Sequence, residues 1–126
     1  MLKFTVNHIA ISVKNVDESI TFYQKVFQLK EIPNTASNSK TRWLVFEDGK
    51  QLHLIPRDFK VTTNKAVHFA LSCNNYTDFV EHLQLLDIEY SDWINTPTKN
   101  YIRKDGIKQI YFQDPDNYWI EINEDV

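Results

Sequence analysis

A short phrase built around histidine occurs twice in this chain and constrains its fold more than any other feature. Residues 6–12 read VNHIAIS and residues 66–72 read AVHFALS, which places His8 and His68 at matching positions, 60 residues apart. Each phrase is followed, at the same distance, by a segment with the start signals of a helix. A half-domain that is written twice predicts a pseudo-symmetric fold with a site between its halves, where two imidazoles could converge.

Size, charge and cysteine content narrow the class of protein. A chain of 126 residues is long enough to bury a core as a single domain, 1–126, which we divide into module one, 4–57, and module two, 65–124. A net charge of −3 gives no case for binding nucleic acid or an anionic membrane. The single cysteine, Cys73, excludes an internal disulfide and suits a reducing compartment. Because no leader or membrane-spanning segment is recognisable, the expected location is the cytoplasm.

The two modules show the same order of periodicities. Alternation with a period of two indicates strands, spacing of three to four indicates helices, and Asp48-Gly49 and Asp105-Gly106 are turn signals. The predicted segments are strand 6–13, helix 16–29, strands 30–32, 41–47 and 51–56, linker 57–65, strand 66–73, helix 76–86, and strands 88–91, 100–104, 107–113 and 118–123. Module one is therefore predicted to be β-α-β-β-β, and module two is predicted to repeat this order with one strand candidate more.

Four possible metal ligands occupy equivalent strands of the two modules. When the hairpins are aligned on their phenylalanines, His53 falls opposite Glu121, just as His8 matches His68. All four lie on the less bulky face of their strands. Three imidazoles and a carboxylate suit a divalent ion such as Zn²⁺, Ni²⁺, Fe²⁺, Mn²⁺ or Co²⁺, which could act as a Lewis acid on a substrate oxygen. Taken singly, a histidine on a strand is usually a hydrogen-bonded structural residue, and only the shared symmetry of the four favours a metal site.

The alternation of side chains along the strands places further residues on the same faces as the four possible ligands. Trp43, Gln109 and Trp119 are candidates for binding a small-molecule substrate, although core packing would explain Trp43 equally well. Tyr111 is a candidate catalytic residue that orients or protonates a substrate oxygen.

Four phrases together resemble the glyoxalase/bleomycin-resistance/dioxygenase group, the vicinal oxygen chelate superfamily. They are HIAISV at 8–13, SITFY at 19–23, HFALS at 68–72 and YFQDPDNYWIE at 111–121, and the last is the most specific. The resemblance covers nearly the whole chain. It implies an α+β fold in which paired βαβββ modules form a curled, cup-shaped mixed sheet around a metal ion.

The resemblance also implies which strands carry the ligands. In metal-bearing members they come from the first and last strands of each module, here His8 and His53, then His68 and Glu121. Glyoxalase I usually has Glu or Gln at the place of His53, so Glu121 is the obvious remaining carboxylate base. No convincing counterpart of the cations that hold glutathione is present. Family analogy further implies a homodimer, in some members of which two subunits complete each site.

The expected function is that of a metal-dependent glyoxalase-type enzyme, a lyase or isomerase whose ion chelates oxygens of a small substrate. One alternative is an extradiol-type dioxygenase with non-haem iron, in which His53 would be a pocket residue. Another is a metal-free module that sequesters an antibiotic, as bleomycin-resistance relatives do. A thiol transferase acting on fosfomycin is a further relative, from which a shorter C-terminal tail is expected to distinguish this chain.

Overall fold

The computed structural model describes residues 1–58, 62–99 and 101–126. The chain divides into two compact units, Met1–Val61 and Thr62–Val126. The elements of the first unit are β1 (His8–Val13), α1 (Val16–Phe27), β2 (Lys30–Ile32), β3 (Arg42–Val45) and β4 (Gln51–Pro56). Those of the second are β5 (His68–Ser72), α2 (Tyr76–Leu85), β6 (Tyr101–Ile102), β7 (Lys108–Gln113) and β8 (Trp119–Asn123). The predicted α+β class and the predicted βαβββ order are thus confirmed.

The first unit is a mixed four-stranded sheet in the order β1-β4-β3-β2. β1 runs parallel to β4 with Ala10 opposite His53, and β3 runs antiparallel to β4 with Trp43 opposite His53. Residues that face each other across a sheet project from the same side, so His8, His53 and Trp43 share one face. The other face buries Leu52 and its neighbours against α1.

The second unit repeats this topology in the order β5-β8-β7-β6. Ala70 of β5 and Tyr111 of β7 both lie opposite Glu121 of β8, which places His68, Tyr111 and Glu121 on one face. The opposite face carries the buried Ile110, Ile120 and Ile122.

Both helices begin where the sequence predicts. The side chain of Asn15 accepts a hydrogen bond from the backbone N–H of Glu18, and that of Asn75 accepts one from Asp78. These bonds satisfy an N–H group that a helix leaves unpaired in its first turn. No helix in the described part of the chain is long and apolar enough to span a membrane.

The strand predicted at 88–91 is wrong. Of these residues only Ser91 makes ladder contacts, as isolated bridges to Pro97 and Tyr111. Asn95 and Thr98 adopt left-handed backbone angles, φ 68° and 53°, which fold the segment back before a ladder can extend. The strand predicted at 100–104 is shorter, Tyr101–Ile102, and Asn100 lies outside the described residues. So do residues 59–61 of the predicted linker.

Candidate metal and substrate site

Three aromatic rings are stacked on the small-residue face of the first unit. The imidazole of His53 lies between that of His8, at a centroid distance of 4.1 Å, and the indole of Trp43, at 4.2 Å. The planes of His53 and Trp43 differ by only 3°. Parity of the strands therefore placed these residues correctly on one face, and the structure brings two predicted ligands, His8 and His53, into contact.

Each of these imidazoles has one nitrogen engaged by an amide oxygen. His8 Nδ1 lies 2.7 Å from Asn7 Oδ1, and His53 Nε2 lies 2.8 Å from Gln51 Oε1. Because an amide oxygen accepts, the N–H donates in each case, and the lone pair is left on Nε2 of His8 and on Nδ1 of His53. Burial, and next the charge of His8, lower the pKa of His53. His53 is therefore held in the neutral form that metals bind.

The second unit builds a hydrogen-bonded group around a buried carboxylate. Glu121 is 8% exposed. Its Oε1 accepts a hydrogen bond from the hydroxyl of Tyr111 at 2.8 Å, and its Oε2 accepts one from Asn123 Nδ2 at 2.7 Å. His68 Nε2 lies 3.2 Å from the same Oε1. Predicted residues His68, Tyr111 and Glu121 are thus gathered at one place.

The hydrogen bond made by the other nitrogen of His68 indicates which tautomer of the ring faces the carboxylate. His68 Nδ1 lies 2.8 Å from the carbonyl oxygen of Lys65, which can only accept, so the ring donates from Nδ1. A neutral His68 then directs its Nε2 lone pair at an oxygen of Glu121. Two electron-rich atoms are stable in this position only with positive charge between them, supplied by a proton or by a metal ion. Two ligands about 2.1 Å from one ion lie about 3.0–3.4 Å apart, so this pair fits a divalent metal.

Tyr111 serves this group as a hydrogen-bond donor. Burial, and next its bond to the Glu121 carboxylate, raise the pKa of Tyr111 above the ordinary value of a phenol. The hydroxyl therefore keeps its proton at neutral pH and continues to donate it to Glu121. The predicted role of Tyr111 toward a substrate oxygen stays a prediction.

The predicted substrate residues lie in different surroundings. Tyr111 and Trp119 line an open cleft of about 580 Å³ in the second unit, whose other lining residues include Phe112, Gln113 and Asn117. Gln109 lies opposite Asn123 in the sheet and is buried, outside the lining of this cleft. Neither unit, over the residues described, gathers three or more His, Cys, Asp or Glu side chains that could hold a metal ion.

Sequence reasoning missed three residues of this group. Asn123 has the parity of Glu121 two residues earlier, and that signal could have found it. Lys65 and Trp93 lie in irregular segments without periodicity. The Lys65 ammonium lies 4.6–5.8 Å from the ring centroids of Trp93, Tyr111 and Trp119.

Comparison with known proteins places the chain in a family. Glyoxylase I 4 of Arabidopsis thaliana is 30% identical, over 94% of this chain and 69% of its own length. Metallothiol transferase FosB of Shouchella clausii is 28% identical, over 94% of this chain and 78% of its own. The structure of Oxidase ChaP-H2 superposes with a TM-score of 0.80 at 17% identity, covering 97% of this chain and 94% of that one, which shows a common fold. Residues 5–122 match one family along almost their whole length, and the chain therefore belongs to the Glyoxalase/Bleomycin resistance protein/Dioxygenase superfamily.

Proposed function

We propose that this protein is a metal-dependent enzyme of glyoxalase type, a lyase or isomerase acting on a small molecule with adjacent oxygen atoms. Its ligands for a divalent ion, one of Zn²⁺, Ni²⁺, Fe²⁺, Mn²⁺ or Co²⁺, would be His8, His53, His68 and Glu121. The observation that carries the proposal is the 3.2 Å distance between His68 Nε2 and Glu121 Oε1, in a ring whose Nδ1 already lies 2.8 Å from the carbonyl oxygen of Lys65.

The surroundings of the imidazoles support this assignment. Metal-ligating histidines usually donate their second N–H to an oxygen acceptor, which fixes the tautomer and the ring orientation. His68 donates to the carbonyl of Lys65, and His8 donates to the side chain of Asn7. Both rings would therefore present Nε2 as the ligand atom. One relative, FosB, is itself named a metallothiol transferase.

The proposal requires the two ligand pairs to meet. Within a single domain, 1–126, module one (4–57) would contribute His8 and His53, and module two (65–124) would contribute His68 and Glu121. The meeting point would lie within one chain or between the two chains of a homodimer. A metal-loaded protein that is monomeric in solution would exclude the second arrangement.

The chain's own residues supply the proton chemistry. A bound divalent ion would act as a Lewis acid that polarises substrate oxygens. Glu121 would take a proton from a substrate carbon and return it, as general acid–base catalysis by a carboxylate requires. The Tyr111 hydroxyl holds the carboxylate in place at Oε1 and would protonate or orient a substrate oxygen. Trp43 and Trp119 would contact the substrate, whereas Gln109 is buried outside the cleft and would not.

Metal binding tests the proposal directly. The dissociation constant of each ion is measured by calorimetry, and the bound metal is measured by mass spectrometry after dialysis. We expect His8→Ala, His68→Ala and Glu121→Ala each to weaken binding at least tenfold. His82→Ala, which changes a histidine on α2, is the matched control and should bind as the unmodified chain does. Binding no tighter than in the double variant His8→Ala/Glu121→Ala would refute the proposal and favour a metal-free binding module.

The stacking of His53 favours a second candidate function. Its ring lies between Trp43 and His8, and its Nε2 is bonded to Gln51, as suits a residue of the pocket wall. The ligand set would then be His8, His68 and Glu121. Two histidines and one carboxylate with open positions are typical of non-haem iron oxygenases.

His53→Ala separates the two candidates. The oxygenase would retain Fe²⁺ in this variant and would consume oxygen with catechols after anaerobic loading. The glyoxalase-type enzyme would lose most of its metal affinity in the same variant. Unmodified protein that binds Fe²⁺ but takes up no oxygen with catechols would count against the oxygenase.

A further inference from the structure

The ammonium group of Lys65 is surrounded by oxygen atoms of one loop, Ser91–Asn95. Its Nζ lies 3.2 Å from Ser91 Oγ, 2.7 Å from the carbonyl oxygen of Asp92, 3.1 Å from that of Trp93 and 2.9 Å from Asn95 Oδ1. An ammonium has three protons, so four acceptors already saturate it. Lys65 consequently has no donor left for a substrate anion, and its role must be sought in what it holds.

We propose that Lys65 is a positioning residue for the candidate site, whose side chain fixes the carbonyl that orients His68 and fastens the Ser91–Asn95 loop beside Tyr111. This inference rests on the proposed function, since it assigns a role toward His68 as a ligand. It adds a residue to that site through contacts made within the second unit alone.

The first link runs through the backbone of Lys65. Its carbonyl oxygen accepts the Nδ1–H of His68 at 2.8 Å. The intervening chain is a tight turn, in which Val67 N donates to the carbonyl of Asn64 and Ala66 N donates to Asn64 Oδ1. Because this turn is short, a movement of the Lys65 side chain also moves the backbone carbonyl of Lys65. Anchoring the Lys65 side chain therefore anchors the acceptor that selects the tautomer of His68.

The second link runs through the loop. Ser91 N donates to the carbonyl of Tyr111, and Tyr111 N donates to the carbonyl of Ser91, at 2.9 and 2.8 Å. The indole of Trp93, which follows in the loop, lies 5.3 Å from the Tyr111 ring and 6.0 Å from the His68 ring. Holding the loop thus holds the surroundings of both site residues.

Electrostatics explain why a lysine is suited to this place. Asp92 is buried, its Oδ1 accepts from Thr96 N, and its Oδ2 has no hydrogen-bond partner among the described residues. Burial lowers the pKa of Lys65, while the charge of Asp92 acts in the opposite direction. The rings of Trp119 and Tyr111, at 4.6 and 5.0 Å from Nζ, also favour a cation there.

The variants remove or replace the ammonium charge of Lys65 and keep a side chain of similar length. Lys65→Met removes the ammonium, Lys65→Arg keeps a cation, and Lys104→Met changes an exposed lysine of the same unit as the matched control. The tautomer of His68 is read in metal-free protein from long-range proton–nitrogen correlation spectra. Metal dissociation constants are then measured with Zn²⁺ and Ni²⁺ alone.

We expect the unmodified chain and Lys104→Met to show His68 protonated at Nδ1. Lys65→Met should lower the proton occupancy of His68 Nδ1 and should weaken metal binding about 10- to 100-fold, as loss of an outer partner does. Lys65→Arg should restore most of both properties. Unchanged His68 spectra and metal affinity in Lys65→Met would overturn the inference.

A second variant keeps the test decisive if Lys65→Met does not fold. The double variant Ser91→Ala/Asn95→Gly deletes both side-chain acceptors of the ammonium, which leaves two acceptors for three protons, and its glycine tolerates the left-handed backbone at position 95, φ 68°. It should perturb the His68 spectrum in the same direction, and an unperturbed spectrum would count against the inference. Because the tautomer is read without metal, absence of metal binding in the unmodified chain would reject the proposed function and leave this inference to be judged separately.

Discussion

The hydroxyl of Tyr111 donates to Oε1 of Glu121 at 2.8 Å, between residues that lie directly opposite each other on β7 and β8. The contact is therefore set by the register of two adjacent strands and does not depend on a loop. Directly opposed side chains of a sheet lie about 5 Å apart at Cβ, which leaves a tyrosine and a glutamate little choice of partner. The pairing of strands thus fixes the hydrogen-bond donor on the carboxylate.

Removing that donor should destabilise the second unit. Tyr111→Phe retains the ring and leaves Glu121 with one hydrogen bond fewer in a buried place. The free energy of unfolding should fall by about 1–3 kcal/mol, the usual cost of an unsatisfied buried group. Urea denaturation at pH 7 measures it, with Tyr101→Phe as the control on the neighbouring strand. An equal loss in both variants would contradict the assigned role of the Tyr111–Glu121 bond.

The parts of the fold that depend on local signals could be predicted from sequence. Asn15 and Asn75 cap their helices, and Gly49 supplies the left-handed turn of the first hairpin, φ 87°. Alternation along the strands then placed His53 and Glu121 on the correct faces. Each of these features is encoded by residues that are close in sequence, because caps, turns and pleating act over a few residues.

The parts of the fold and of the site that depend on segments without regular secondary structure could not be predicted from the sequence. Tyr90 and Asp92 are buried on either side of Ser91, an alternation that resembles a strand. The left-handed backbone at Asn95 and Thr98 nevertheless turns the chain back, so that Ser91 forms only isolated bridges. Lys65 reaches this loop from about 30 positions earlier, a distance at which no periodicity operates. The acceptor of His68 Nδ1, the carbonyl of Lys65, is only three residues away, but it lies in an irregular turn that no periodicity marks.

The two helix caps offer a paired test of the repeated architecture. Asn15→Ala and Asn75→Ala each delete the side-chain acceptor of a first-turn N–H, and each should lower the free energy of unfolding by about 1 kcal/mol. Asn15 should matter more, since its bond is 3.1 Å long and that of Asn75 is 3.4 Å. Thermal and urea unfolding measure both. Asn74→Ala, one position before the second cap, should be close to neutral, and a loss there as large as at Asn75 would contradict the capping role.

Tyr76 should make stability fall at alkaline pH. Burial, and next the charges of Glu124 and Tyr90, raise the pKa of this tyrosine in the folded chain. The folded state then holds the proton more tightly than the unfolded state, so the stabilisation is complete below the unfolded pKa of about 10 and is lost as the pH rises above it.

The expected slope is up to about 1.4 kcal/mol per pH unit above pH 10 for this one group. Urea titrations between pH 9 and pH 11.5 measure it, while absorbance at the tyrosinate band reports ionisation. Tyr76→Phe should flatten the decline over the same range. A decline equally steep in that variant would assign the alkaline instability to other groups.

Asn123→Asp should convert the support of Glu121 into repulsion. Asn123 Nδ2 donates to Glu121 Oε2 at 2.7 Å, and the substitution puts a carboxylate oxygen of the same size in place of the donor. The nearby charge of Glu121 would raise the pKa of the introduced carboxyl in the folded state, because two carboxylates this close cannot both ionise without cost. Stability would therefore be greater at low pH and would be lost as the pH rises through the raised pKa.

At pH 7 we expect the free energy of unfolding to fall by about 1–3 kcal/mol relative to the unmodified chain, and the deficit should shrink as the pH is lowered toward 4. Asn123→Ala is the matched control, since it deletes the donor without adding charge and should show a deficit that changes little with pH. Urea denaturation at several pH values distinguishes the two variants. Parallel pH profiles for both would mean that the introduced carboxyl does not sense the charge of Glu121, which would contradict the close contact between these two side chains.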